Sequence, residues 1–296
     1  MTISPTSQSS LEAVKTIQAE MERSVIGQDY LVERLLIAQL DLIAAFPGRG
    51  FMIPGNHYWN HQHEGGLAAV RRQQVFTDVY LRDFSVFQPK DGCPGPVERV
   101  VDDSHVIILI DSEWFLHRYE KPMGEADGCG VENDLDFFVQ IEGLLRKHAG
   151  KHILLAMHHP LFTNGSHGGH FSWKDHLFPL TNVIHNFYLP LPVIGSLYPF
   201  VRKYGISPED LPHPRYQKLK EGILGAIGDQ PNVVLAAGHE HTLQLHKAEK
   251  VFQIVSGAGT RESPVQRGHG AAFVYPKRGF ARLNYYRNGE AWVEFW

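Results

Sequence analysis

The chain has 296 residues, 43% of them apolar, and a formal net charge of -4. That length suits one large α/β domain or two small ones, and the apolar content is enough for a sizeable core. A nearly balanced charge without a basic stripe argues against a nucleic-acid partner, and no apolar run is long enough to cross a bilayer. The unusual number is 18 histidines. Neutral imidazole is the commonest nitrogen ligand for transition metals, so the places where these histidines fall carry the reading.

Residues 1–9 are rich in Ser and Thr, and 1–20 read as a frayed N-terminus ahead of one domain over 21–296. Leu11 to Phe46 has a helical pattern, stopped by Pro47-Gly48. Gly50–Ile53 reads as a short strand ending in Pro54-Gly55-Asn56-His57, and a second helix follows over Gly66–Tyr80. Val97–Val101 is a candidate strand. Val106–Ile110 is a buried strand that delivers Asp111. Asp134–His148 reads as a helix with Leu135, Phe138, Ile141 and Leu145 on one face. It leads into the buried strand His152–Met157, which ends in His158-His159-Pro160.

Residues 161–215 form a long Pro-, aromatic- and His-rich excursion, then Leu219–Ile227 a short helix. Val233–Ala237 is a further buried strand, ending in Gly238-His239-Glu240-His241. The remainder alternates as antiparallel strands at 243–246, 251–256, 271–274, 279–286 and 291–295. Helix–strand alternation followed by a meander predicts layered sheets with outer helices. Ligands gather at the carboxyl ends of strands in such sheets. One histidine there is ordinary packing, but three strand ends each followed by histidine in a Gly/Pro-marked turn are not. Cys93 and Cys129 both lie in Gly-rich turns and suit either one disulfide or two free thiols.

The ordered trio Gly55-Asn56-His57, Met157-His158-His159-Pro160 and Gly238-His239-Glu240-His241 resembles the calcineurin-like metallophosphoesterases. Their pattern runs Asp-x-His, Gly-Asp-x-x-Asp/Asn, Gly-Asn-His-Asp/Glu, a lone His after a strand, and Gly-His-x-His. A bacterial subgroup is similar also in Pro54–Trp59, Gly92–Pro96, Asp111–Trp114, His167–Phe171, Pro190–Ser196 and Ser256–Gly259. The resemblance covers roughly residues 20 to 296. It implies a four-layer α/β/β/α sandwich and a phosphoric ester hydrolase in which a metal-activated water attacks a phosphoester in line. It implies metal ligation by Asn56, His158, His239 and His241, with His57 assisting the leaving group. Mn, Fe or Zn would suit these ligands, two ions in intact relatives and one or two here. The substrate would be a small-molecule or protein phosphoester, with the 161–215 excursion as lid.

The chain also departs from that pattern. No histidine precedes His57, and Tyr58 stands where relatives carry Asp or Glu. The first-metal Asp-x-His and the bridging aspartate have no counterpart, so the fold is expected to be N-terminally incomplete. Four ligands predict weak binding of a single divalent metal and slow hydrolysis. The alternative is a catalytically impaired pseudoenzyme or binding module of the same fold. Met1–Ser10 lacks the apolar stretch of a secretory signal, which reads as cytoplasmic, or as exported if the N-terminus is truncated. His159 and His170 are candidate substrate contacts, with His167 beside them. Asp111 is read as a ligand-orienting or turn residue, and Glu240 as facing away. No His-Glu-x-x-His or Gly-x-Ser-x-Gly sequence is present to support a zinc protease or a serine hydrolase.

Overall fold

The computed structural model describes residues 37, 39–178, 180, 188–192, 194–248, 251–259 and 262–296. The frayed segment and most of the predicted first helix therefore lie outside the described residues, and residues 39–45 are helical. Helix α1 (Gly66–Leu81) starts from Gly65 in the left-handed region and turns Leu67, Val70, Gln74 and Thr77 inward. These recur at helical spacing, as a one-sided buried stripe requires.

The strands are β1 (Val97–Val100), β2 (His105–Leu109), β3 (His152–Ala156), β4 (Val233–Ala237), β5 (Leu243–Ala248), β6 (Val251–Ser256), β7 (Ala271–Tyr275), β8 (Ala281–Tyr285) and β9 (Ala291–Phe295). Among the described residues they form one seven-stranded sheet, ordered β1-β2-β3-β4-β6-β5-β7, and a two-stranded β8-β9 pair. Its centre, β2-β3-β4-β6, is parallel, while β1, β5 and β7 run antiparallel to their neighbours. The protein is thus mixed α/β. The predicted C-terminal meander is only partly simple, because β6 inserts between β4 and β5.

Short α2 (Ser112–Leu116) is fully buried and follows β2 directly. Asp111 is its N-cap, accepting from the amides of Glu113 at 2.9 Å and Trp114 at 3.2 Å. Helix α3 (Asp134–Lys147) is capped by Asn133, with Asp134 and Asp136 in its first turn and Arg146 and Lys147 in its last. Its buried face is Phe137, Ile141 and Leu145; Leu135 is 71% exposed, so the inward stripe is rotated from the one predicted. After α4 (Trp173–Leu177) and α5 (Leu197–Lys203), helix α6 (Pro214–Ile227) packs beside α3. It begins five residues before the predicted Leu219, because His213 Nδ1 accepts from Arg215 N at 3.1 Å and Pro214 occupies the first turn.

The predicted strand 50–53 is only one parallel bridge, Met52 to Phe87. Cys93 and Cys129 are disulfide-bonded, tying the loop before β1 to the loop before α3. Two buried glutamines fasten the chain just beyond β3. Gln253 Oε1 accepts from Leu161 N at 2.6 Å and Phe162 N at 3.1 Å, and its Nε2 donates to Phe162 O at 2.6 Å. Gln244 Oε1 accepts from Asn164 N at 2.9 Å. No described helix is long and apolar enough to cross a membrane.

Candidate metal centre

Two adjacent parallel strands bring the histidine turns together. The end of β3 is locked to the end of β4 by Met157 N to Ala236 O and Gly238 N to His158 O, both at 3.0 Å. The Asn56 turn closes on itself through Tyr58 N to Gly55 O at 2.9 Å and His61 N to Asn56 O at 2.8 Å. Gly55 is required there, since a Cβ would fall on the His158 ring.

Asn56, His158 and His239 converge. Asn56 Oδ1 lies 3.0 Å from His158 Nε2, which lies 3.2 Å from His239 Nδ1. His239 Nε2 is 3.2 Å from Glu209 O, an acceptor only, so that nitrogen carries the proton and Nδ1 is left with its lone pair. A carbonyl oxygen and two ring nitrogens therefore face one another with at most one hydrogen, on His158 Nε2, to share. A divalent cation satisfies all three, and the neutral N/O donor set suits Mn, Fe or Zn. Burial holds His158 at about 3 and His239 well below its ordinary value, with neighbouring imidazoles adding to the shift. Both rings are thus neutral and able to ligate at pH 7.

Ring nitrogens of His158, His159 and His239 all lie within 4.8 Å, a cluster that could hold a metal ion. His159 is held through one ring nitrogen only. Its Nδ1 is 2.9 Å from Ser112 Oγ, while its Nε2 lies 3.4 Å from Glu113 Oε2 and makes no hydrogen bond; Asn56 Oδ1, 3.0 Å from His158 Nε2, is the third donor in direct contact. The His159 ring is fully buried, touching the site through the His239 ring at 4.5 Å rather than facing solvent. His241 lies near enough for its charge to depress both His57 and His158. His57 is exposed, its ring 4.0 Å from that of His61. Although exposed to solvent, it is partly desolvated by the surrounding protein, which lowers its pKa, as does His61, against the opposing pull of Glu209. Tyr58 packs on Phe87 instead of orienting His57. His170 stands apart, 4.5 Å from His269.

Two carboxylates of this neighbourhood, Glu209 and Glu113, escaped the sequence reading, whereas His167 and Glu240 were singled out by it. Glu209, from the excursion, accepts from Asn56 Nδ2 at 2.9 Å. His167 packs 4.0 Å from the His239 ring and is held by Asp210 at 3.0 Å. Burial pulls its pKa down, but Asp210 and Glu240 outweigh that, and the net shift is upward. Glu240 is buried and turned toward the excursion, accepting from Thr163 Oγ1 at 3.0 Å and His167 N at 2.9 Å. Beneath the site, Glu113 is 0% exposed and its carboxyl pKa is raised well above normal by burial, then by Asp111 and Glu209. It sits 3.7 Å from His117, which burial lowers to about 4.

These shifts set an expected pH dependence of stability for the metal-free chain. Histidines 57, 117, 158, 159, 170, 213, 239 and 246 are lowered. Asp111 (about 7), Glu113 and His167 are raised. Below pH 6.5 the unfolded chain takes up protons that the lowered histidines refuse, so their stabilisation is lost on acidification; the raised groups act oppositely but are fewer. Each net proton is worth about 2 kcal/mol over 1.5 pH units. Urea unfolding with chelator present should therefore show lower stability at pH 5.5 than at pH 7. A rise in stability on acidification would contradict this account.

No family model matches the chain, and no curated protein matches it. Among solved structures it is similar to GAP50, the anchor in the inner membrane complex of Plasmodium, at 13% identity over 67% of this chain and 48% of that one, with a TM-score of 0.34. It is similar to PhoD at 11% identity over 73% and 41%, with a TM-score of 0.38. A candidate 5′-nucleotidase from Staphylococcus aureus, in complex with alpha-ketoglutarate, shares 15% identity over 86% of this chain and 38% of that one, with a TM-score of 0.34. The chain spans less than half the length of each of these structures.

Proposed function

We propose that the chain is a metal-dependent phosphoric ester hydrolase of the calcineurin-like type, with that family's α/β/β/α layering and with residues 161–215 as its lid. The observation that carries this reading is the convergence of Asn56 Oδ1, His158 Nε2 and His239 Nδ1 from three separate turns. These three side chains and His241 would hold the cation. When bound, it supplies positive charge to the phosphoryl oxygens and lowers the pKa of a coordinated water. The chain's own residues do the rest. Asn56 adds a neutral oxygen donor and so no anionic repulsion toward a phosphate. Exposed His57, next in sequence, is reachable by a substrate oxygen and assists the leaving group. The disulfide favours an oxidising compartment.

Purified chain stripped with chelator and reloaded with Mn²⁺ should hydrolyse p-nitrophenyl phosphate slowly, below the ~10 s⁻¹ typical of enzymes. His57→Ala should lower kcat ~100-fold or more without altering Mn²⁺ uptake. One Mn²⁺ per chain without turnover would favour a binding module over a hydrolase. No Mn²⁺ uptake would remove the metal site as well.

A further inference from the structure

Asn56 and His239 can ligate only if each presents the correct atom. An amide can turn its oxygen or its nitrogen toward a cation, and a neutral imidazole can leave its lone pair on either nitrogen. One residue touches both groups on the side away from the convergence point. The Glu209 carboxylate accepts from Asn56 Nδ2 at 2.9 Å, which leaves Asn56 Oδ1 aimed at His158. The main-chain carbonyl of the same residue accepts from His239 Nε2 at 3.2 Å, which leaves the Nδ1 lone pair aimed at His158.

The segment carrying Glu209 is itself anchored. Buried Asp210 accepts from Arg202 through both its oxygens, at 2.5 Å from Nε on one of them, and lies 3.0 Å from His167 Nδ1. Leu211 N donates to His167 O at 2.8 Å, and Asp210 N to Ser207 O at 3.0 Å. Glu209 is thus placed by a buried ion pair rather than by a solvated loop, and its carboxylate also puts a negative charge beside a set of neutral ligands.

We infer that Glu209 is a positioning residue of the metal centre, selecting the amide face of Asn56 with its side chain and the tautomer of His239 with its main chain. The inference rests on the metal-centre reading above. Outer partners of this kind are worth about 10–100-fold in metal affinity. Because the carbonyl survives substitution, a side-chain variant tests the Asn56 half alone.

Full-length chain, stripped of metal, is titrated calorimetrically with Mn²⁺. Glu209→Ala should bind ~10–100-fold more weakly than wild type. Glu209→Gln should stay within ~3-fold, because its amide oxygen accepts the same hydrogen bond. In metal-free ¹H–¹⁵N spectra, which also report the fold, the Asn56 side-chain NH₂ signal should move in Glu209→Ala and hold its place in Glu209→Gln. Wild-type affinity in Glu209→Ala would overturn this role alone. Glu209→Gln binding as weakly as Glu209→Ala would overturn it too, since charge rather than orientation would then be at work. A wild-type chain that takes up no Mn²⁺ would overturn the metal-centre reading and this role with it.

Discussion

His239→Ala is expected to lower affinity for a divalent cation at least ~100-fold, beyond the usual effect of an outer-shell partner. Its Nδ1 lies 3.2 Å from His158 Nε2, and its ring contacts those of His158, His159 and His167, so no neighbour can substitute for it without moving. The backbone makes a second expectation possible. His239 has φ +63°, a left-handed conformation that costs a non-glycine residue roughly 1 kcal/mol or more. His239→Gly should lose the metal as fully as His239→Ala while folding more stably than the Ala variant by about 1 kcal/mol. Mn²⁺ titration and urea unfolding of both variants check this. Retained affinity in either variant would remove His239 from the ligand set.

Trp59→Ala should cost about 3–5 kcal/mol for the lost ring alone, a large share of an ordinary domain's 5–15 kcal/mol. Trp59 is 0% exposed, belongs to the main cluster, and donates from Nε1 to buried Asp111 Oδ2 at 2.7 Å. Truncation also leaves that carboxyl short of a partner, adding about 1–3 kcal/mol. Trp59→Phe isolates the second contribution, since it keeps most of the apolar volume and removes the N–H. Because Trp59 N reaches back to Gly55 O at 3.4 Å, the turn presenting Asn56 should loosen as well, and Mn²⁺ affinity should fall with stability. Urea unfolding that placed Trp59→Ala within 1 kcal/mol of wild type would refute the packing argument.

Much of this neighbourhood was legible in the sequence because central parallel strands read as uninterrupted apolar runs, although here one face is buried and the other only partly covered. Val106–Ile110, Ile153–Met157 and Val233–Ala237 are such runs, and the turns after the last two deliver His158 and His239. Asn56 was legible through its Pro-Gly turn. Glu209 was not, because Ser-Pro-Glu-Asp reads as a solvated turn and its partner is 153 residues away. Glu113 was hidden likewise, since carboxylates are almost never fully buried and a five-residue helix carries too little periodicity to show an inward face. The α3 stripe was misplaced because Leu135 is apolar yet lies in the first turn, directed outward. The pairing of Cys93 with Cys129 depended on two loops meeting in space, which spacing alone does not encode.

The amides of Gln253 and Gln244 have a mechanical consequence. They hold residues 161–164 by main-chain contacts within the sheet. The anchoring continues past Asn164, because Glu240 accepts from His167 N at 2.9 Å and Gln266 Nε2 donates to Phe171 O at 2.9 Å, so the root of the excursion is fixed as far as Phe171. Force applied further along the chain would therefore load these side-chain anchors before it reached β3 and His158.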